Sequence, residues 1–368
     1  MRSLKVKMKK GNIKNFKLNI VEPPLKKLDY VIFFIAAVIC FVLFQIKGNT
    51  FGTFMLNQFL PFMVYLLCGF LVYKNADALG MGSGKAKICA YAYLTMPIGF
   101  YSQFILWQMA DVFTVAFVLL GFYFWLKDKY LLFVIFFGMA AMFNMLAMLI
   151  FVPLLFLKEK NVWRNILGLI ISVIPVGIRF IVFVINNPKE TYMDGFLGTG
   201  YHTAGIMTGV TDVSVSILLC MVVVAFAYFK NITLKEERVK WALYLIGLIM
   251  FAVFGLGRWE PEWLLVMAPF MALGAFVHSD TKVFLVLELV LMFCLEGIFV
   301  LDDINIVLSV YVVVLLIIAV FKYPGYLPGS FRNSVGKDVI HCIRIRFIGG
   351  VSVLIVPAVI ALIKDIMS

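Results

Sequence analysis

Apolar residues run along this chain in long blocks separated by short polar breaks. The blocks fall at residues 29–46, 59–73, 88–101, 111–126, 130–143, 145–157, 165–185, 213–229, 241–257, 263–278, 283–300, 305–321 and 347–363. A helix crossing a bilayer needs about 20 mostly apolar residues. In lipid only an element that satisfies its own backbone hydrogen bonds is viable, and a helix does so. The pattern therefore predicts an all-α, polytopic transmembrane helix bundle of about 11–13 membrane segments.

Composition supports this reading. Hydrophobic residues make up 63% of the 368 residues and charged residues 14%, and the mean hydropathy is +1.02. A soluble domain holds about 25% charged residues, so a soluble enzyme, a disordered chain and a nucleic-acid-binding module are all excluded as expectations. The net charge of +12 belongs to the placement of the basic residues. Residues 1–28 and the breaks 74–87, 127–129, 158–164, 230–240, 279–282 and 322–346 hold 27 of the 32 Lys and Arg. Such a bias puts those loops and the N-terminus in the cytoplasm, facing anionic lipid. The expected organisation is a basic cytoplasmic segment, 1–28, followed by one multi-pass membrane domain, 29–368. Its longest outer loop is 186–212 and its longest cytoplasmic loop 322–346. The first span reads as a signal anchor.

Residues 130–157 are the tightest test of this topology. Lys129 and Lys158 are both assigned inside, yet 28 helical residues span only about 42 Å, too short for two crossings of a ~30 Å core. The conflict predicts two short helices turning near Asn144 and covered by the rest of the bundle, because polar backbone at membrane depth must face protein or water.

Several familiar patterns carry no chemistry. Gly80-Met81-Gly82-Ser83-Gly84-Lys85 lacks the spacing and the preceding strand of a phosphate loop and reads as a turn. The six Cys have no metal or redox spacing and read as small core residues. His202, His278 and His341 lie far apart, so no metal site is assigned and a divalent ion is left open. No cofactor is called for. Glu288 and Glu296, inside an apolar run, are functional candidates by their cost alone.

Two segments expected at the outer face are more informative. One is Tyr101–Asp111, YSQFILWQMAD; the other starts at Gly257, GRWEPEWLLVMAPF. Over roughly residues 85–280 the chain here resembles the GT-C membrane glycosyltransferases. Many bacterial members, similar to the mannosyltransferases of glycolipid synthesis, carry an outer-loop Trp-Gly-Gln-x-Asp pattern, whose ends Trp107 and Asp111 match. A span, a basic turn and a short helix pair with a polar bend follow, and Asn144 occupies the bend. A later Pro-rich motif is matched by Pro261, Trp263 and Pro269, with Glu262 where Gln is usual.

The resemblance implies a glycosyltransferase of the cell membrane. It would take a sugar from a polyprenyl-phosphate donor and pass it, with inversion, to a glycan, lipid or protein acceptor on the outer face. Transfer to a hydroxyl needs a base and a cation to hold the phosphate leaving group. Asp111, Glu260 and Glu262 are the candidate acids. Arg258 or Arg179 would hold the phosphate, Trp107 and Trp259 would stack on sugar or isoprene, and His202 in the outer loop could join the site. The first outer loop, residues 47–58, lacks the carboxylate common in the family. That leaves two alternatives open: a catalytically silent GT-C subunit serving a membrane protein partner, and a transporter or flippase for a lipid-linked glycan.

Overall fold

The computed structural model describes residues 60–96, 98–99, 109–186, 205–208, 211–232, 235–255, 263–277 and 345. Over these residues the fold is all-α apart from one short hairpin. The helices are α1 (Leu60–Ala78), α2 (Ser83–Leu94), α3 (Met109–Leu126), α4 (Tyr130–Phe143), α5 (Leu146–Lys158) and α6 (Val162–Asn186), then α7 (Val215–Phe229), α8 (Lys235–Met250) and α9 (Leu264–Val277). A π-helical turn, Phe251–Gly255, extends α8. The hairpin pairs β1 (Gly205–Thr208) with β2 (Thr211–Ser214) antiparallel, Ile206 opposite Val213, and leads directly into α7.

The break expected between 130 and 157 is present. Asn144 adopts an extended conformation (φ −145°, ψ 123°) and ends α4, and α5 restarts at Leu146. The pair is interior. α4 packs against α3 and α6, and α5 against α7 and α8, with Phe133, Phe137, Phe151 and Leu154 fully buried. At 1.5 Å per residue, α4 and α5 are each about 20 Å long.

Local chemistry sets the turns. Gly80 and Gly82 have positive φ, 85° and 78°, where a side chain would be strained, and Met81 N–H returns to Ala76 C=O at 3.2 Å. This is the cap of α1, in place of any phosphate loop. Between α3 and α4 the left-handed position is held by Asp128 (φ 58°), a residue type that tolerates it.

Buried polar groups tie helices together. Asn75 donates to Leu71 C=O and, across to α3, to Leu119 C=O at 3.0 Å. Trp125 Nε1 donates to Leu154 C=O at 3.0 Å, and Tyr65 to Tyr93 C=O at 3.1 Å. An aromatic ladder joins α3 to α4: Phe143 stacks on Phe113 and Phe117 with centroids 5.6 and 5.9 Å apart, and Phe136 on Phe124 at 5.3 Å. Gly138 lets α4 approach α6 closely, since a Cβ there would lie 2.7 Å from the Ser172 carbonyl oxygen. Cys68, Cys89 and Cys220 are buried thiols outside any disulfide, the small core residues expected; Cys40, Cys294 and Cys342 lie outside the described residues.

Large apolar side chains also lie on the outside. α6 exposes Trp163, Ile170, Ile174, Ile178, Ile181 and Ile185, and α7 exposes Ile217, Met221, Val222 and Phe229. Among the described residues one stretch, Val162–Val182 of α6, is long and apolar enough to cross a membrane; the apolar helices α3, α4, α5, α7 and α9 are shorter.

Candidate functional site

The two ends of the bundle differ in chemistry. At one end the turns after α3, α5 and α7 come together. Lys158 Nζ donates to Trp125 C=O at 2.6 Å and pairs with Asp128 at 3.0 Å. Lys160 Nζ donates to Phe156, Ala227 and Tyr228 C=O, each at 2.8 Å. These ammonium groups satisfy the last carbonyls of α3, α5 and α7, where a helix carries its partial negative charge. Glu159 accepts from the backbone N–H of Lys160 and Asn161 and pairs with Arg164 at 3.2 Å. Burial alone would raise its pKa, but the hydrogen bonds from Asn161, Arg164 and Lys160 and the guanidinium charge hold it below the ordinary glutamate value. Burial and the charge of Arg238 push Lys160 down. We refer to this as the basic end.

The far end holds the candidate site. Asp111 lies in the first turn of α3, where the helix dipole favours an acid, and its side chain is only 6% exposed. Asn144 Nδ2 donates to Asp111 Oδ1 at 2.8 Å. The same Asn144 side chain accepts from Leu146 N–H at 2.9 Å, and its own N–H donates to Ala140 C=O. Asn144 thus ends α4, starts α5 and orients the carboxylate on α3. Arg179, exposed on α6, donates through Nη1 to Met142 C=O and, at 3.3 Å, to Phe143 C=O. The guanidinium and the acid therefore bracket one turn: Arg179 binds its backbone from one helix and Asp111 binds its side chain from another.

An apolar groove of about 560 Å³ opens beside this turn. Its wall begins at Met145 and Leu146, directly after Asn144, and continues between α5 and α7 past Val152, Cys220 and Val224 to Trp263. Sequence reasoning found Asp111, Asn144 and Arg179 but missed the groove. Its lining residues are ordinary members of apolar blocks, and no single one marks it.

Of the site residues expected from sequence, Asp111 and Arg179 are brought to the same turn. Trp107, Arg258, Trp259, Glu260, Glu262 and His202 lie outside the described residues, as do Glu288, Glu296 and most of the 186–212 loop. Among the described residues no three His, Cys, Asp or Glu side chains converge on one point.

Fold and site together define an α-helical bundle with a buried acid, an amide and a guanidinium gathered at one internal turn beside an apolar groove. No family model, curated protein or solved structure matches the chain.

Proposed function

We propose that the chain is a multi-pass membrane glycosyltransferase of the GT-C type, moving a sugar from a polyprenyl-phosphate donor to an acceptor hydroxyl at the far end of the bundle. The observation that carries the reading is the Asp111 carboxylate, buried yet oriented by Asn144, the residue directly before the groove's wall at Met145 and Leu146. An acid kept at the depth of an apolar bundle is costly, and such groups mark working sites by default. In this reading Asp111 takes the acceptor proton as the glycosidic bond forms, and the polyprenyl phosphate departs with the former sugar–phosphate bond's electron pair. Arg179 is the described cation nearest the turn for that phosphate, and isoprene units fit the apolar groove.

Membrane placement is supported by the exposed apolar faces of α6 and α7, since soluble monomers rarely expose contiguous apolar patches beyond a few hundred Å². The basic end faces the cytoplasm by the bias of Lys and Arg, which leaves Asp111 toward the outer face.

The test is transfer by the purified protein from a labelled polyprenyl-phosphate sugar. Asp111→Asn is expected to lower the rate about 10²–10⁴-fold while the protein still folds and binds donor. Transfer at the wild-type rate would remove Asp111 from the mechanism. The second reading, a silent GT-C subunit, is favoured by the absence of any carboxylate in residues 47–58; donor binding without any turnover by the wild type would select it.

A further inference from the structure

The basic end holds a cation that the capping network does not use. Lys158 is engaged with Asp128, and Arg164 with Glu159. Lys160 has its donors on three carbonyls. Arg238, in the first turns of α8, is different: its Nε is buried and has no hydrogen-bond partner among the described residues. It lines a notch of about 10 Å³ with Trp125, Leu126, Asp128, Lys158 and Val239, enough for roughly one water-sized atom. The nearby acid, Asp128, is already paired with Lys158, and Glu237, the neighbour of Arg238, is exposed. The local field is therefore positive and is reinforced by Lys160, on which Arg238 acts electrostatically.

We propose that Arg238 and this notch bind the phosphodiester of an anionic phospholipid in the leaflet at the basic end. A phosphate oxygen fills the notch and accepts from Nε, a charge-assisted bond of the kind guanidinium makes best. The rest of the headgroup stays outside. A lipid is favoured over a free anion because exposed apolar side chains lie at the same end of the bundle. Tyr228, whose carbonyl Lys160 holds, is followed by Phe229, 81% exposed, and Trp163 at the start of α6 is 79% exposed. Aromatic side chains at the end of apolar helices suit the headgroup level of a bilayer, with acyl chains along α6 and α7. This inference takes the membrane placement from the proposed function and none of its chemistry.

The experiment places full-length protein in bilayer discs of phosphatidylcholine with phosphatidylglycerol and counts the lipids retained on release by native mass spectrometry. Wild type is expected to keep phosphatidylglycerol over phosphatidylcholine. Arg238→Gln should weaken that retention about five- to tenfold, whereas Lys74→Gln, which removes a cation lying over Phe70 and Tyr73, should not. Equal retention of the two lipids by wild type, or unchanged retention in Arg238→Gln, overturns the proposal. Arg238→Lys, which keeps the charge and the apolar stem but lacks the Nε donor, is the second variant should Arg238→Gln not fold: retention should fall in it as well, and unchanged retention overturns the assignment to Nε and the notch. Thermal protection by millimolar inorganic phosphate equal to that by phosphatidylglycerol would make this a free-anion site and overturn the lipid assignment. Recovery of the protein from cells without detergent would overturn both the lipid assignment and the membrane placement. Loss of the glycosyltransferase reading would leave the lipid result standing.

Discussion

Asn144 donates a hydrogen bond of 2.8 Å to Asp111, so the break between two short helices and the acid at the start of a third form one unit. Replacing Asn144 by Ala removes the donor that orients the carboxylate and also the acceptor for Leu146 N–H. Loss of the cap is expected to cost about 1 kcal/mol of stability. Under the proposed function, misplacement of the acid should lower kcat about 10²-fold with a smaller effect on KM. Asn144→Asp restores the cap acceptor but sets two carboxylates together, so the melting temperature should partly recover and transfer should not. Steady-state kinetics beside thermal denaturation in detergent would separate the two effects.

Gly138 sits where α4 meets the backbone of α6 at Ser172. Ala at this position must push two backbones apart, and overpacking of this sort costs about 1–3 kcal/mol. Gly177, where an added Cβ would meet nothing within 4 Å among the described residues, is the control: Gly177→Ala should be neutral or stabilising. Denaturation midpoints of the two variants check the contrast.

Lys160 holds the ends of α5 and α7 together through three carbonyls. Lys160→Met keeps the apolar stem and loses the donors, leaving part-buried carbonyls unsatisfied. A loss of about 2 kcal/mol is expected, with faster hydrogen exchange at the facing ends of α5 and α7.

Glu159 gives a pH signature. Its carboxyl is held below the ordinary value by the Asn161, Arg164 and Lys160 contacts, against the effect of burial. A depressed folded-state pKa means that its contribution is fully present above the unfolded value of about 4.3 and is lost as pH falls through the lower folded value. Glu159→Gln should therefore melt below wild type at pH 7, with the gap closing as the pH falls below about 4.3. A gap that persists unchanged at pH 3 would contradict the assignment.

Sidedness is tested with single cysteines. Glu237→Cys, exposed near the start of α8, should react with a membrane-impermeant thiol reagent only from the cytoplasmic side. Glu190→Cys should react only from outside. Outer-face labelling at 237 would reverse the topology.

Much of this organisation is legible in the chain. The helix pair around Asn144 follows from a length conflict between Lys129 and Lys158, which requires no knowledge of packing. The gathering of Lys129, Lys158 and Lys230 at one end follows from charge placement. The individual roles do not follow. Nothing about Lys160 in a run of Lys-Glu-Lys separates a solvated charge from a clamp on two helices, because its partners are backbone carbonyls about 70 residues away in sequence. Arg179 looks like any lone cation in an apolar block until α6 is laid against the end of α4. The groove is less legible still, since it arises from what α5 and α7 leave unfilled between them.

The shortness of α4 and α5 has a further consequence. Each reaches about 20 Å, so under the proposed membrane placement, in hydrocarbon about 30 Å deep, the Asn144 turn stops roughly 10 Å short of the far surface. Because the pair packs between α3, α6, α7 and α8, that deficit falls inside the bundle and not on the bilayer. It would leave a recess over Asn144, into which a carrier lipid's phosphate would sink to the level of the Asp111 carboxylate.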